Sequence, residues 1–149
     1  TVTPTPTLNA TPATLSGFNY VVGSGPSASQ SYKLTGANLV PASGNINISG
    51  STNYEVSADN ITFGAAAFIP YTGSTITNIP VYVRLKAGLG IGSFNGETIG
   101  NTGGGVPNFN VTCNGNVTCA ISINALGTAY IEDFNSLANT STSSSLPCG

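Results

Sequence analysis

Apolar and polar positions alternate in short runs from Leu8 onward, and clusters of Gly, Pro, Asn or Ser separate the runs. The clearest run covers residues 80–87. Val81, Val83, Leu85 and Ala87 fall on one side, and Tyr82, Arg84 and Lys86 on the other, as successive residues of a half-buried strand do. Ile46 and Ile48 inside GNINISG mark a second strand, and Tyr54 with Val56 a third. Further strands are predicted around 18–22, 29–34, 67–71, 94–99 and 106–113. Ala58, Asp59 and Asn60 form a predicted turn, because Asp and Asn side chains bond their own backbone and tolerate left-handed geometry. Nowhere do apolar residues recur at i, i+3, i+4 and i+7 through a helix-length window, so helix content is expected near zero. About eight short strands with regular turn signals predict an all-β chain, an immunoglobulin-like antiparallel β-sandwich of about seven to nine strands with extended terminal segments.

The ends differ from the middle. Residues 1–7, TVTPTPT, favour polyproline II and read as a linker or stalk. The sandwich is expected over 8–123. Residues 124–149 form an extended tail, either a linker or a strand donated to a neighbour. Ala129 and Ile131 share one face there, with Tyr130 on the other and Phe134 close by, and these four are the candidates for assembly. An isolated strand has unpaired backbone groups and seeks a sheet edge, which would join units head to tail.

The chain has 149 residues, room for one domain of ordinary size. With 40% hydrophobic residues, six Tyr and six Phe, it has the means to fold. Charge is the anomaly: 5% of residues, three Lys and Arg, net −2. His, Met and Trp are absent. Catalytic relays through His, His-ligated zinc and imidazole pH switches are thereby excluded. Three cations are too few for a nucleic-acid face, and no apolar run is long enough to span a membrane. Gly, Ser, Thr and Asn make up about half the chain. Such an uncharged surface requires a covering of glycans, neighbouring domains of the same polypeptide, or further copies of the chain. An extracellular or cell-surface setting fits best. No signal peptide is visible, so an exported chain would be a mature form or a fragment.

Candidate chemistry is sparse. Glu132 and Asp133 are the adjacent carboxylates, but no calcium-loop spacing supports them, and Glu55, Asp59 and Glu97 fall in separate elements. No catalytic residue, metal site or cofactor is expected. Tyr20, Tyr32, Tyr54, Tyr71, Tyr82 and Tyr130 are candidates for stacking on sugars, or else line the sandwich rim with their hydroxyls in water. Six glycosylation sequons occur, at Asn9, Asn47, Asn60, Asn110, Asn116 and Asn139.

The cysteines are Cys113, Cys119 and Cys148. On one continuous strand, Cys113 and Cys119 would lie about 20 Å apart, beyond disulfide reach. A turn at Asn114, Gly115 and Asn116 would instead bring them to about 7 Å. The expectation is that turn, with a Cys113–Cys119 bridge and Cys148 free or intermolecular.

Three segments carry a resemblance: GFNYVVGSGPSASQSYKLTGANL (17–39), NYEVSADNITF (53–63) and VYVRLKAGLGIGSFNGETI (81–99). Over about residues 7–123 the chain resembles an Ig-like module repeated in large secreted or surface proteins of Bacteroidetes and related bacteria. Cys113 and Cys119 depart from that pattern. The tail, YIEDFNSLANTSTSSSLPCG, resembles the opening of the jelly-roll domain that commonly follows such modules. The resemblance implies a spacer or adhesive module, often in tandem, without catalytic residues. The expected function is therefore a non-enzymatic extracellular structural or adhesive unit, repeated in a surface protein or assembled into a surface filament. The alternative is a carbohydrate-binding module or an accessory domain of a secreted hydrolase.

Overall fold

The computed structural model describes residues 3–120. The chain divides into two units, Thr1–Thr118 and Cys119–Gly149, and the strands of the described residues lie in the first. In chain order they are β1 (Thr7–Thr11), β2 (Thr14–Val21), β3 (Gln30–Ala37), β4 (Gly44–Ser49), β5 (Tyr54–Ser57), β6 (Ala66–Tyr71), β7 (Ile76–Leu85), β8 (Gly92–Gly103) and β9 (Val106–Thr118). Among the described residues there is no helix. Two sheets form, a four-stranded one in the order β1-β3-β7-β5 and a five-stranded one in the order β2-β9-β8-β4-β6. This is the expected all-β, immunoglobulin-like sandwich, with nine strands among the described residues.

The alternation read from the sequence points the right side chains inward. Ile46 and Ile48 of β4, Tyr54 and Val56 of β5, and Val81, Val83 and Leu85 of β7 are all fully buried between the sheets. The strand expected over 80–87 begins earlier and stops at Leu85, leaving Ala87 exposed. Asp59 closes the predicted turn: its Oδ1 accepts the backbone N–H groups of Ile61 and Thr62, both at 2.8 Å, and Asn60 takes a φ of 61°.

Three features correct or refine the expected topology. First, β2 pairs with β9 in parallel, so the five-stranded sheet is mixed rather than antiparallel. Second, the opening strand is split between the sheets: β1 pairs with β3, and β2 pairs with β9. Pro12 stands between the two halves and has no N–H to continue a ladder. Third, the chain leaves the five-stranded sheet after β4 to form β5 in the other sheet, then returns for β6.

The cysteine expectation is also corrected. The sequence Asn114-Gly115-Asn116 makes no turn, because β9 runs unbroken through it for 13 residues. Cys113 is a free thiol buried in the core, and no Cys113–Cys119 bridge forms. Gly115 explains why the strand continues. A Cβ there would collide with the carbonyl oxygen and Cβ of Phe18 and with the Tyr54 hydroxyl. The bare backbone is what lets Phe18 and Tyr54 meet edge-to-face, with ring centroids 5.2 Å apart. Expected features in residues 121–149, including Ala129, Tyr130, Ile131, Phe134, Asn139 and Cys148, lie outside the described residues.

Candidate functional site

Apart from the exposed Lys33, the few charged groups of the described residues are engaged in the fold. Arg84 of β7 donates from Nε to Glu55 Oε1 of β5 at 2.6 Å and stacks over the Phe63 ring, 4.0 Å from its centroid. Lys86 Nζ donates to the carbonyls of Ser51 and Thr52, at 3.1 and 2.8 Å. Glu97 of β8 holds the same loop, accepting from Asn53 N at 3.0 Å and Asn53 Nδ2 at 2.6 Å. Burial pushes the Glu97 carboxyl up, but the bonds from Asn53 and Ser51 and the nearby Lys86 outweigh it and hold it below its ordinary value. Asp59 is held down at about 2 by the Thr62 and Ile61 amides and the Ser57 hydroxyl. Glu55, Asp59 and Glu97 thus serve three separate places. Among the described residues no cluster of Cys, Asp and Glu is arranged to hold a metal ion, and Glu132 and Asp133 lie outside them.

The tyrosines are likewise occupied. Tyr20, Tyr32, Tyr54 and Tyr71 are buried, and their hydroxyls donate within the protein rather than standing in water at the rim. Tyr20 donates to Lys86 O at 2.7 Å, Tyr54 to Phe94 O at 2.7 Å and Tyr71 to Pro41 O at 3.0 Å. Tyr32 reaches Asn101 Oδ1 at 2.6 Å. Tyr82 is half-buried, and Tyr130 lies outside the described residues. A sugar platform built from these tyrosines is excluded for the four buried rings.

The outer face of the five-stranded sheet is open to solvent, as are Ser31 and Lys33 of β3 in the other sheet. On β2, β4 and β9 uncharged polar residues alternate with buried apolar ones, while edge strand β6 turns Ala66, Phe68 and Pro70 outward. In β4, Asn45, Asn47 and Ser49 face outward around Ile46 and Ile48; in β9, Asn110, Thr112, Asn114, Asn116 and Thr118 alternate with Val111, Cys113, Gly115 and Val117. The register lines them up across strands. Thr14, Thr112 and Thr98 form one row, and Ser16, Asn114 and Asn95 the next. Asn114 locks that row, donating to Ser16 Oγ at 3.2 Å and accepting from Gly96 N at 2.9 Å. The five strands contain one ionisable carboxylate, Glu97, and it is turned to the loop before β5. The outer face itself carries no charge.

The sequons separate by position. Asn47, Asn110 and Asn116 lie on this face, in strands hydrogen-bonded on both sides. Asn60 sits in the exposed turn and Asn9 on edge strand β1, while Asn139 lies outside the described residues. Sequence reasoning missed the face because the Asn and Thr alternation was visible within each strand, but which strands share a sheet was not. It also passed over Phe68 of β6, a residue 59% exposed on the same face.

No family model matches the chain. No curated protein matches it either. Among the described residues no helix is long and apolar enough to cross a membrane.

Proposed function

We propose that this chain is a non-enzymatic structural or adhesive module of an extracellular surface, one unit in a string of like units or a subunit of a filament. The observation that carries the reading is the parallel pairing of β2 with β9. Parallel neighbours at the start and end of a domain send the chain in at one pole and out at the other. Thr7 lies beside Ala37 at the first pole, and Val22 N bonds Thr118 O at 2.8 Å at the second. A pull on the two ends loads the β2–β9 hydrogen bonds in shear, all together, rather than unzipping them one by one. That is the geometry a load-bearing spacer needs. The engagement of Glu55, Arg84, Lys86 and Glu97, and of the Tyr20, Tyr32, Tyr54 and Tyr71 hydroxyls, within the fold is in keeping with a mechanical role.

In this reading the terminal segments 1–7 and 124–149 join one unit to the next, and any covering N-glycans sit at Asn60 and Asn9, outside the interior strands. Force spectroscopy tests the core of the proposal. Pulling between residues 3 and 120 is expected to need a clearly higher force than pulling between residue 3 and the β8–β9 turn at Gly104, which peels strands apart. Equal forces in the two geometries would refute the load-bearing reading. Deleting 124–149 is expected to abolish higher-order assembly; assembly unchanged by the deletion would refute the terminal junction.

A further inference from the structure

Beyond the mechanical reading, and independent of it, we infer that the outer face of the five-stranded sheet binds a neutral polysaccharide, with Phe68 as its stacking platform. Phe68, Asn47 and Thr102 stand side by side in one row across β6, β4 and β8. Neighbouring strands are about 4.8 Å apart, so an apolar ring, an amide and a hydroxyl succeed one another at roughly the spacing of a sugar ring. In the next row, Ser49 and Asn110 flank Gly100. Gly100 has no side chain, and a Cβ there would lie 3.4 Å from Asn108 Oδ1 and 3.8 Å from Ser49 Cβ. Between those polar groups the face is bare backbone, one row along and two strands across from Phe68.

The chemistry selects the occupant. Asn amides and Ser or Thr hydroxyls each donate and accept, which matches a ligand whose every hydroxyl does the same. The apolar edge of Phe68 suits the C–H face of a pyranose. With no charge on the face, an anionic or cationic polymer gains nothing there, and a neutral one strips no ion of its water. A second copy of the chain fits less well. Two such faces laid together would bury fixed rows of amides against each other, and each amide left unpaired would oppose the contact. Sugar hydroxyls rotate to suit their partners.

Affinity electrophoresis of the full chain tests this, with gels containing a soluble β-1,4-glucan, a β-1,3-glucan, a galactomannan or an α-glucan, and heparin as the anionic comparison. At least one neutral polymer is expected to retard the chain, and added salt is expected to leave the effect unchanged. Phe68→Ala and Asn47→Ala are each expected to weaken it by at least about tenfold. Lys33→Ala, on β3 in the opposite sheet, should leave it alone. Phe68 is largely exposed, so its loss spares the core, and near-UV circular dichroism confirms the fold of each variant. Four results would overturn the inference: no retardation by any neutral polymer; equal retardation of the folded Phe68→Ala chain; self-association lost in Phe68→Ala without any polysaccharide effect, which would make the face a contact between copies; or a glycan already attached to Asn47 or Asn110 in native material.

Discussion

The Tyr32 hydroxyl donates to Asn101 Oδ1 at 2.6 Å inside the sandwich, joining β3 of one sheet to β8 of the other, with both residues fully buried. Asn101 completes the link by donating from Nδ2 to the carbonyls of Ile99 and Phe109, at 3.2 and 3.1 Å. No buried side-chain nitrogen or oxygen among the described residues lacks a partner. This polar knot is therefore fully satisfied, which is the condition under which buried polar groups stabilise a core.

Tyr32→Phe removes the donor and leaves Asn101 Oδ1 buried without one. The expected loss is about 1–3 kcal/mol, measured by urea denaturation. A loss within error of zero would mean that the Tyr32–Asn101 bond contributes nothing net.

High pH attacks the same interior. Burial pushes the Tyr32 hydroxyl well above its ordinary value, against the lowering effect of the Asn101 bond and with the Cys113 thiol adding to the rise. Burial does the same to Tyr54, helped by Cys113 and Glu97, and it raises Cys113 to about 12. All three groups are neutral when protonated, and the folded state holds the proton more tightly than the unfolded state. Their contribution to stability is complete below the unfolded values, about 9 for the thiol and about 10 for the phenols, and falls as pH rises above them. Tyrosinate absorbance is expected to show two phenols that ionise only as circular dichroism reports unfolding. Two such tyrosinates in a chain with native dichroism would disprove the shift.

Cys113 is expected to resist thiol reagents in the native protein and to react once it is unfolded. Because Cys113 is a core thiol, the one cysteine left in this chain to pair with Cys119 is Cys148. Peptide mapping without reduction checks both points, and a Cys113-containing disulfide would contradict the first.

Two glycine substitutions should part company. Gly115→Ala forces a methyl into the Phe18 backbone and the Tyr54 hydroxyl, and overpacking of this kind costs about 1–3 kcal/mol. Gly100→Ala meets its neighbours at ordinary contact distance on the outer face and is expected to change stability far less. Thermal melts of the two variants distinguish them, and similar melting temperatures would refute the account of Gly115.

Gly115 also shows where sequence reading failed. Asn-Gly-Asn is a strong local turn signal, and it was overridden by a tertiary demand invisible in one dimension, the room that Phe18 and Tyr54 require. The strands themselves were legible because the two-residue period of Ile46 and Ile48, or of Val81, Val83 and Leu85, depends on neighbours along the chain. Tyr20, Tyr32, Tyr54 and Tyr71 were misjudged because an aromatic residue with a polar tip reads the same at a rim as in a core. Their partners Lys86, Asn101, Phe94 and Pro41 are far away in sequence. The parallel pairing of β2 with β9 left no local signal at all.

That pairing has a consequence for how the chain reaches its fold during synthesis. The Asn114–Ser16 bond spans 98 residues, and β2 has no partner in its own sheet until β9 exists. Through most of translation Leu15, Phe18 and Tyr20 must wait on an open edge, a topology that folds slowly because its decisive contacts close the longest loops. In an array of like units, the last strand of one neighbour would fit the vacant place of another, the characteristic misassembly of repeat proteins. Divergence between adjacent units at the Phe18–Gly115 contact would be the simplest safeguard, keeping each closing strand with the domain that made it.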